Sequence, residues 1–176
     1  KDCDLDMGTF LLDFPNDEVK KGFVTLVANN YLQSEKDSGS WARDIVGALK
    51  TGDLEQVRKL LTSFLADIPY SMRRKETERE RERYFHYTFY LLMRMVSCYT
   101  VYTEKQQSEG RVDCIVETPL YIYIFEFKLD GTADEALQQI EEKGYARPYE
   151  ADKRKLFKVG TVFSSETGTI SEFKVK

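Results

Sequence analysis

GRVDCIVETPLYIYIFEFKLDG, residues 110–131, alternates with period two on both sides of a turn. From Leu120 to Leu129, Tyr121, Tyr123, Phe125, Phe127 and Leu129 point one way; Ile122, Ile124, Glu126 and Lys128 point the other. In the preceding strand Val112, Cys114 and Val116 alternate against Arg111, Asp113, Ile115 and Glu117. Thr118 and Pro119 mark the turn. A connection of about four residues (118–121) sets 117 against 122, Ile115 against Ile124 and Asp113 directly against Glu126. A slip of two residues keeps both acids on one face, diagonal to each other. Opposed like charges destabilise a sheet, and burial makes their ionisation harder still. Both strands are apolar on both faces, as strands covered on two sides are. Isolated charges in strands are ordinarily solvated edge residues, and an acid followed by E-x-K arises by chance in a chain with 32% charged residues. The apolar surroundings argue against that reading here. A divalent cation is the natural compensation for the pair.

The remaining composition narrows the class. A length of 176 residues fits one domain, or one domain with a helical extension. With 41% hydrophobic residues, including 11 Phe and 11 Tyr, the chain can build a core. No stretch approaches a membrane span, and no signal peptide is evident. The three cysteines, Cys3, Cys98 and Cys114, show no CxxC spacing, which predicts reduced thiols and a cytoplasmic setting. A single histidine, His86, disfavours a His/Cys zinc site, and no P-loop motif occurs. The sequence starts Lys1-Asp2-Cys3, which reads as a piece of a longer polypeptide. Net charge is −4, and all of the excess lies in residues 1–70, with 8 basic and 12 acidic side chains. The remainder is balanced and carries basic clusters at Arg73–Lys75 and Lys153–Lys155, compatible with phosphate contacts.

Along the chain, residues 1–15 predict an irregular or short extended entry. Asn16 caps a helix from 17 to about 32 with Val19, Phe23, Leu26, Val27 and Tyr31 as its stripe. After a polar loop at 34–40, a helix from 41 to 50 stops at Gly52, and another runs from 53 to about 67. Residues 71–83, SMRRKETERERER, read as a solvated helix start or mobile connection leading into a buried helix at 84–96. A strand is predicted at 98–103, a polar turn at 104–110, then the hairpin, a helix from about 132 to 146, and strands near 155–164 and 169–175. Three successive strands followed by a helix and a further strand predict an α/β fold, a mixed sheet flanked by helices.

An α-β-β-β-α-β core with an acid in the second strand and E-x-K in the third resembles the PD-(D/E)XK nuclease superfamily. The stretch GRVDCIVETPLYIYIFEFKLDGTADEALQQIEEKGYA is similar to one branch, the nuclease-like C-terminal domain of bacterial proteins with an N-terminal AAA-ATPase-like half, abundant in Bacteroides-type gut bacteria. The likeness is most specific over 110–147 and extends more loosely to FSSETGTISEFKV (163–175) and back through LLDFPNDEVKKGF to FLADIP. It implies a restriction-endonuclease-like core at 71–176 preceded by a helical segment, 1–70, that links to an ATPase-like domain. It implies further that Asp113 and Glu126 ligate Mg²⁺ (or Mn²⁺), that the carbonyl of Phe127 adds an oxygen, and that Lys128 positions the attacking water and the phosphate. Val112 stands where the motif's proline would be, a position without a chemical role. Glu82 matches the acid sometimes supplied by the first helix, although it lies in a run of charges. Gln139 matches the helix glutamine of the RecB-like groups. Their QxxxY spacing would put Tyr at position 143, where Lys143 stands; Tyr145 comes two residues late.

The chemistry is coherent on its own terms. Mg²⁺ prefers carboxylate, carbonyl and water oxygens, lowers the pKa of bound water and screens a phosphate. The expected function is a metal-dependent nuclease acting on nucleic acid, with DNA favoured over RNA, joined to an ATPase-like domain. The alternative is a non-catalytic binding module that keeps the fold. His86 is expected to be a packed core histidine, and the Tyr121–Phe127 stripe to be core packing.

Overall fold

The computed structural model describes residues 3–4, 9–10, 14–32, 38–73, 77–96, 99–107 and 109–176. The hairpin strands β4 (Gly110–Glu117) and β5 (Tyr121–Leu129) form the middle of a five-stranded sheet. Strand order follows the chain: β3 (Thr100–Gln107), β4, β5, β6 (Lys155–Phe163), β7 (Ile170–Val175). All neighbours are antiparallel except β5 and β6, whose parallel pairing requires the crossover through α6 (Ala133–Glu142). The sheet is therefore mixed and helix-flanked, as the sequence predicts.

The hairpin register is the one the turn length dictates: Glu117 pairs with Ile122, Ile115 with Ile124 and Cys114 with Phe125. Thr118 closes the turn, its hydroxyl accepting from Tyr121 N at 2.9 Å. On one sheet face Tyr123, Phe125 and Phe127 join the larger core; on the other Ile122 and Ile124 pack with Leu137 and Ile140 of α6.

A two-residue pair, β1 (Cys3–Asp4) and β2 (Thr9–Phe10), opens the described chain. Helix α1 (Asp17–Leu32) starts as expected, with Asn16 Oδ1 accepting from Val19 N at 2.9 Å. Its apolar stripe differs from expectation. Val19, Phe23, Leu26 and Val27 are all exposed, because none of the described elements covers that side of the helix. Helices α2 (Ser38–Thr51) and α3 (Leu54–Asp67) pack on each other and on the sheet. α2 begins three residues earlier than predicted and ends before Gly52, whose φ of 76° suits glycine. Tyr123 ties the two layers together by donating from its hydroxyl to Leu49 O at 2.6 Å. A short helix, α4 (Tyr70–Arg73), leads into α5 (Glu78–Met95). From Thr77 onward the charged run is an ordinary helix start. Thr77 and Glu80 form a reciprocal capping box. α5 is buried along one side only, since Tyr87 and Tyr90 are exposed.

Two further boundaries depart from the sequence reading. The predicted turn at 104–110 is mostly strand: β3 reaches Gln107, and Cys98 lies outside the described residues. As an edge strand it exposes alternate side chains, so a polar sequence is compatible with pairing. Helix α6 stops at Glu142 rather than near 146. Gly144 takes a φ of 59°, and a 3₁₀ turn at Arg147–Tyr149 follows.

Helix α6 lies unusually close to the sheet. Gly160, paired with Glu126, faces its first turn; a Cβ there would sit 2.3 Å from the Ala133 carbonyl oxygen. Thr132 and Glu135 cap the helix, and Glu172 of β7 accepts from Ala133 N at 2.9 Å, an anion at the positive helix end. Replacing Gly160 with Ala forces α6 away from β6. The expected loss is about 1–3 kcal/mol, read as a lower urea midpoint with little change in m. An unchanged midpoint would show that the helix has room to spare.

Candidate active site

The sheet is distorted at one point, and that point is Asp113. The β4–β5 ladder ends at Cys114–Phe125, one step short of Asp113 and Glu126. On the other side, the β3–β4 ladder passes from Thr103–Cys114 to Lys105–Val112 without a Glu104–Asp113 pair. Glu104 sits there with φ of 49°, a left-handed conformation uncommon for a non-glycine residue. Alternation breaks at the same place. Cys114 and Val116 enter the larger core, but Val112, expected on their face, packs with Ile115 under α6. Asp113 is freed from ladder pairing by this twist, and its Oδ2 accepts from Phe127 N at 2.9 Å.

Glu126 is buried among the isoleucines of the α6 face and only 1% exposed. Gln139, projecting from α6, bridges it to the lysine. The Gln139 amide nitrogen donates to Glu126 Oε1, and its amide oxygen accepts from Lys128 Nζ at 2.5 Å. Amide polarity suits this arrangement: donor toward carboxylate, acceptor toward ammonium. The second oxygen, Glu126 Oε2, is buried with no hydrogen-bond partner. Burial is the main force raising Asp113 above the usual carboxylate range, against the pull of His86, the Phe127 N–H, Lys128 and Arg111. For Glu126, burial followed by the charge of Asp113 pushes the carboxyl up to about 8, with Lys128 and the Asp113 backbone opposing. Two adjoining acids with raised pKa values and an orphaned buried oxygen form a site whose negative charge is only partly compensated.

The sequence-predicted residues separate into an inner set and satellites. Asp113, Glu126, Lys128 and Gln139 are linked, and the backbone of Phe127 joins them. Tyr145 is also drawn in. The turn after α6 folds it back, so that it is buried, donates to Arg111 O at 2.9 Å and interacts with Gln139. Gly110 leaves it room, since a Cβ there would come within 2.9 Å of the Tyr145 hydroxyl. Lys143 is the exposed C-cap of α6. Glu82 lines an open groove of about 810 Å³ that also reaches Asp113, Phe127 and His86. His86 is therefore not simply a core residue: it is half-buried, edge-on to the Phe127 ring at 5.9 Å, and faces the groove. The sequence signal for this was its position one helical turn after Glu82.

Among the described residues, no three His, Cys, Asp or Glu side chains are grouped to hold a metal ion. A two-carboxylate site still suits Mg²⁺, which commonly keeps several waters and takes only one or two protein carboxylates. Cys114, beside Asp113, is a buried free thiol in the larger core, and burial drives its pKa upward. No helix among the described residues is long and apolar enough to cross a membrane.

This fold and acid–acid–lysine hairpin define a nuclease-type α/β domain. A sequence model of the PD-(D/E)XK nuclease superfamily matches residues 80–173, and the chain belongs to that superfamily. It is also 29% identical over 169 residues to the "uncharacterized protein in vnfD 5′ region" of Azotobacter chroococcum mcd 1. The match covers 95% of this chain and 33% of that protein, so the chain spans about a third of its relative's length. No solved structure matches the chain.

The raised acid predicts a pH signature. Native Glu126 retains a proton up to about 8, whereas the ordinary glutamate value is 4.5. Between these values the folded state holds the proton that the unfolded chain releases, so metal-free stability falls as pH rises. Glu126→Gln should flatten that part of the pH–stability curve, and Mg²⁺ should raise the wild-type melting temperature most at its alkaline end. Equal slopes in wild type and variant would show that Glu126 ionises normally.

Proposed function

We propose that the chain is a divalent-metal-dependent nuclease, hydrolysing phosphodiester bonds in DNA with Mg²⁺ or Mn²⁺. The observation that carries the proposal is the orphaned, buried Glu126 carboxylate beside Asp113, with Lys128 held on the same face through Gln139. Asp113, Glu126 and the Phe127 carbonyl would hold the ion, with Glu82 placed to contribute from the groove wall. Such an ion supplies the positive charge the acids lack and lowers the pKa of a bound water. The Phe127 N–H fixes the Asp113 carboxylate. Gln139 keeps Glu126 and Lys128 in fixed relation, and Lys128 presents its ammonium to the attacking water and the scissile phosphate.

The similarity of residues 110–147 to domains that follow an ATPase-like half supports an ATPase-like domain as covalent partner. The greater length of the Azotobacter relative is compatible with a larger polypeptide of this kind.

The test uses plasmid, single-stranded DNA and RNA with Mg²⁺ or Mn²⁺. Lys128→Ala should lower the cleavage rate by about 10²-fold or more, and Asp113→Ala should remove metal-dependent cleavage. Gln139→Ala should cost less, on the order of tenfold, because it orients groups rather than meeting the phosphate. Identical behaviour of wild type, Asp113→Ala and Lys128→Ala on every substrate would overturn the assignment. A wild type silent with both metals, yet binding nucleic acid, would identify a non-catalytic module.

A further inference from the structure

The geometry points to α5 as a binding track for single-stranded nucleic acid, leading along the groove to Asp113. This inference rests on the nuclease reading for its destination, and on separate residues for its substance. Arg79, Arg83, Tyr87, Tyr90 and Arg94 follow one another at intervals of four, four, three and four residues, which places them in one row along the helix. The first four line the groove that contains Asp113 and Phe127. Glu82 and His86, one helical turn apart, form the adjoining row and line the same groove.

Three properties suit the outer row to an unpaired strand. Arg79 and Arg83 are exposed and make no ion pair among the described residues, whereas Arg111 across the groove is engaged with Glu104 at 3.6 Å. Two guanidiniums one turn apart are thus left to meet successive phosphates. Tyr87 is 55% exposed and has no ring or hydrogen-bond partner among the described residues; Tyr90 is 36% exposed. Arg94 lies over the Tyr90 ring at 5.9 Å, which stiffens that ring as a platform. Large exposed rings on a helix contribute nothing to the core, yet each offers a face on which a base can stack. Stacking of this kind requires bases turned out of a duplex, so the row selects single strands by chemistry available to DNA and RNA alike.

Fluorescence anisotropy on the 176-residue chain tests this in EDTA, where metal-dependent cleavage does not interfere. The probes are labelled oligo(dT), oligo(U) and a mixed-sequence DNA duplex of equal length. Both single strands should bind at least about tenfold more tightly than the duplex. Tyr87→Ala and Tyr90→Ala should each weaken single-strand binding about fivefold or more, while Tyr87→Phe and Tyr90→Phe, which keep the rings, should bind as wild type. Arg79→Ala with Arg83→Ala should reduce the slope of log affinity against log salt by about 1.4, two contacts at roughly 0.7 each. Duplex binding as tight as single-strand binding, or full affinity in the paired tyrosine-to-alanine variant, would overturn the track. Oligo(dT) and oligo(U) differing by more than tenfold would replace ring stacking with sugar recognition and overturn it too. The two readings fail separately. Cleavage by wild type with unaltered binding in the tyrosine variants would remove the track alone, and ring-dependent binding without cleavage would remove the nuclease reading alone.

Discussion

A carboxylate removed from water beside a second carboxylate has to be compensated, and the architecture around Glu126 is arranged about that requirement. The covering of both sheet faces buries Glu126, and the hairpin carries Asp113 one step beyond the last pair of its ladder, beside it. The protein supplies only part of the compensation: one Phe127 N–H to Asp113, one Gln139 amide to Glu126, and the Lys128 ammonium held at one remove. A fold optimised for stability alone would replace such a pair with hydrophobic side chains. Its retention, with one oxygen unpartnered, is what separates this site from an ordinary stretch of sheet.

The site also shows how a regular sheet is locally interrupted. Strand pairing consumes backbone groups and directs side chains strictly up or down. Around Asp113 both ladders lapse, Glu104 adopts a left-handed backbone, and Val112 changes face. The acid consequently stands where the buried face with α6 meets the open groove beside α5. One side of it adjoins fixed groups and the other the open groove.

The sequence made the hairpin legible because period two and a four-residue turn together leave little choice of register. The starts of α3 and α6 were read close to where Asp53 and Thr132 cap them. The less readable features depend on contacts between distant parts of the chain. Polar residues 104–107 become strand only because β4 pairs with them. The apolar stripe of α1 predicted burial that none of the described elements provides. Tyr145 falls outside the expected spacing from Gln139, yet α6 ends early enough for the following turn to return it. His86 looked like a core residue because its neighbours Phe85 and Phe89 are; the helix places it on the edge of that buried strip. Asp113, Glu126 and Lys128 were visible in local pattern and Gln139 only through the family resemblance, whereas the groove needed α5 and the β3–β4 hairpin to be placed side by side.

The bond from Ala133 N to the Glu172 carboxylate ties β7 to α6 although β7 carries none of the candidate site residues. Its carboxylate holds the origin of α6, and Gln139 projects from that helix less than two turns later. Sliding β7 along β6 would therefore rotate or lift the amide that sets the spacing between Glu126 and Lys128. The last strand is thus coupled, through one carboxylate, to the helix that carries Gln139.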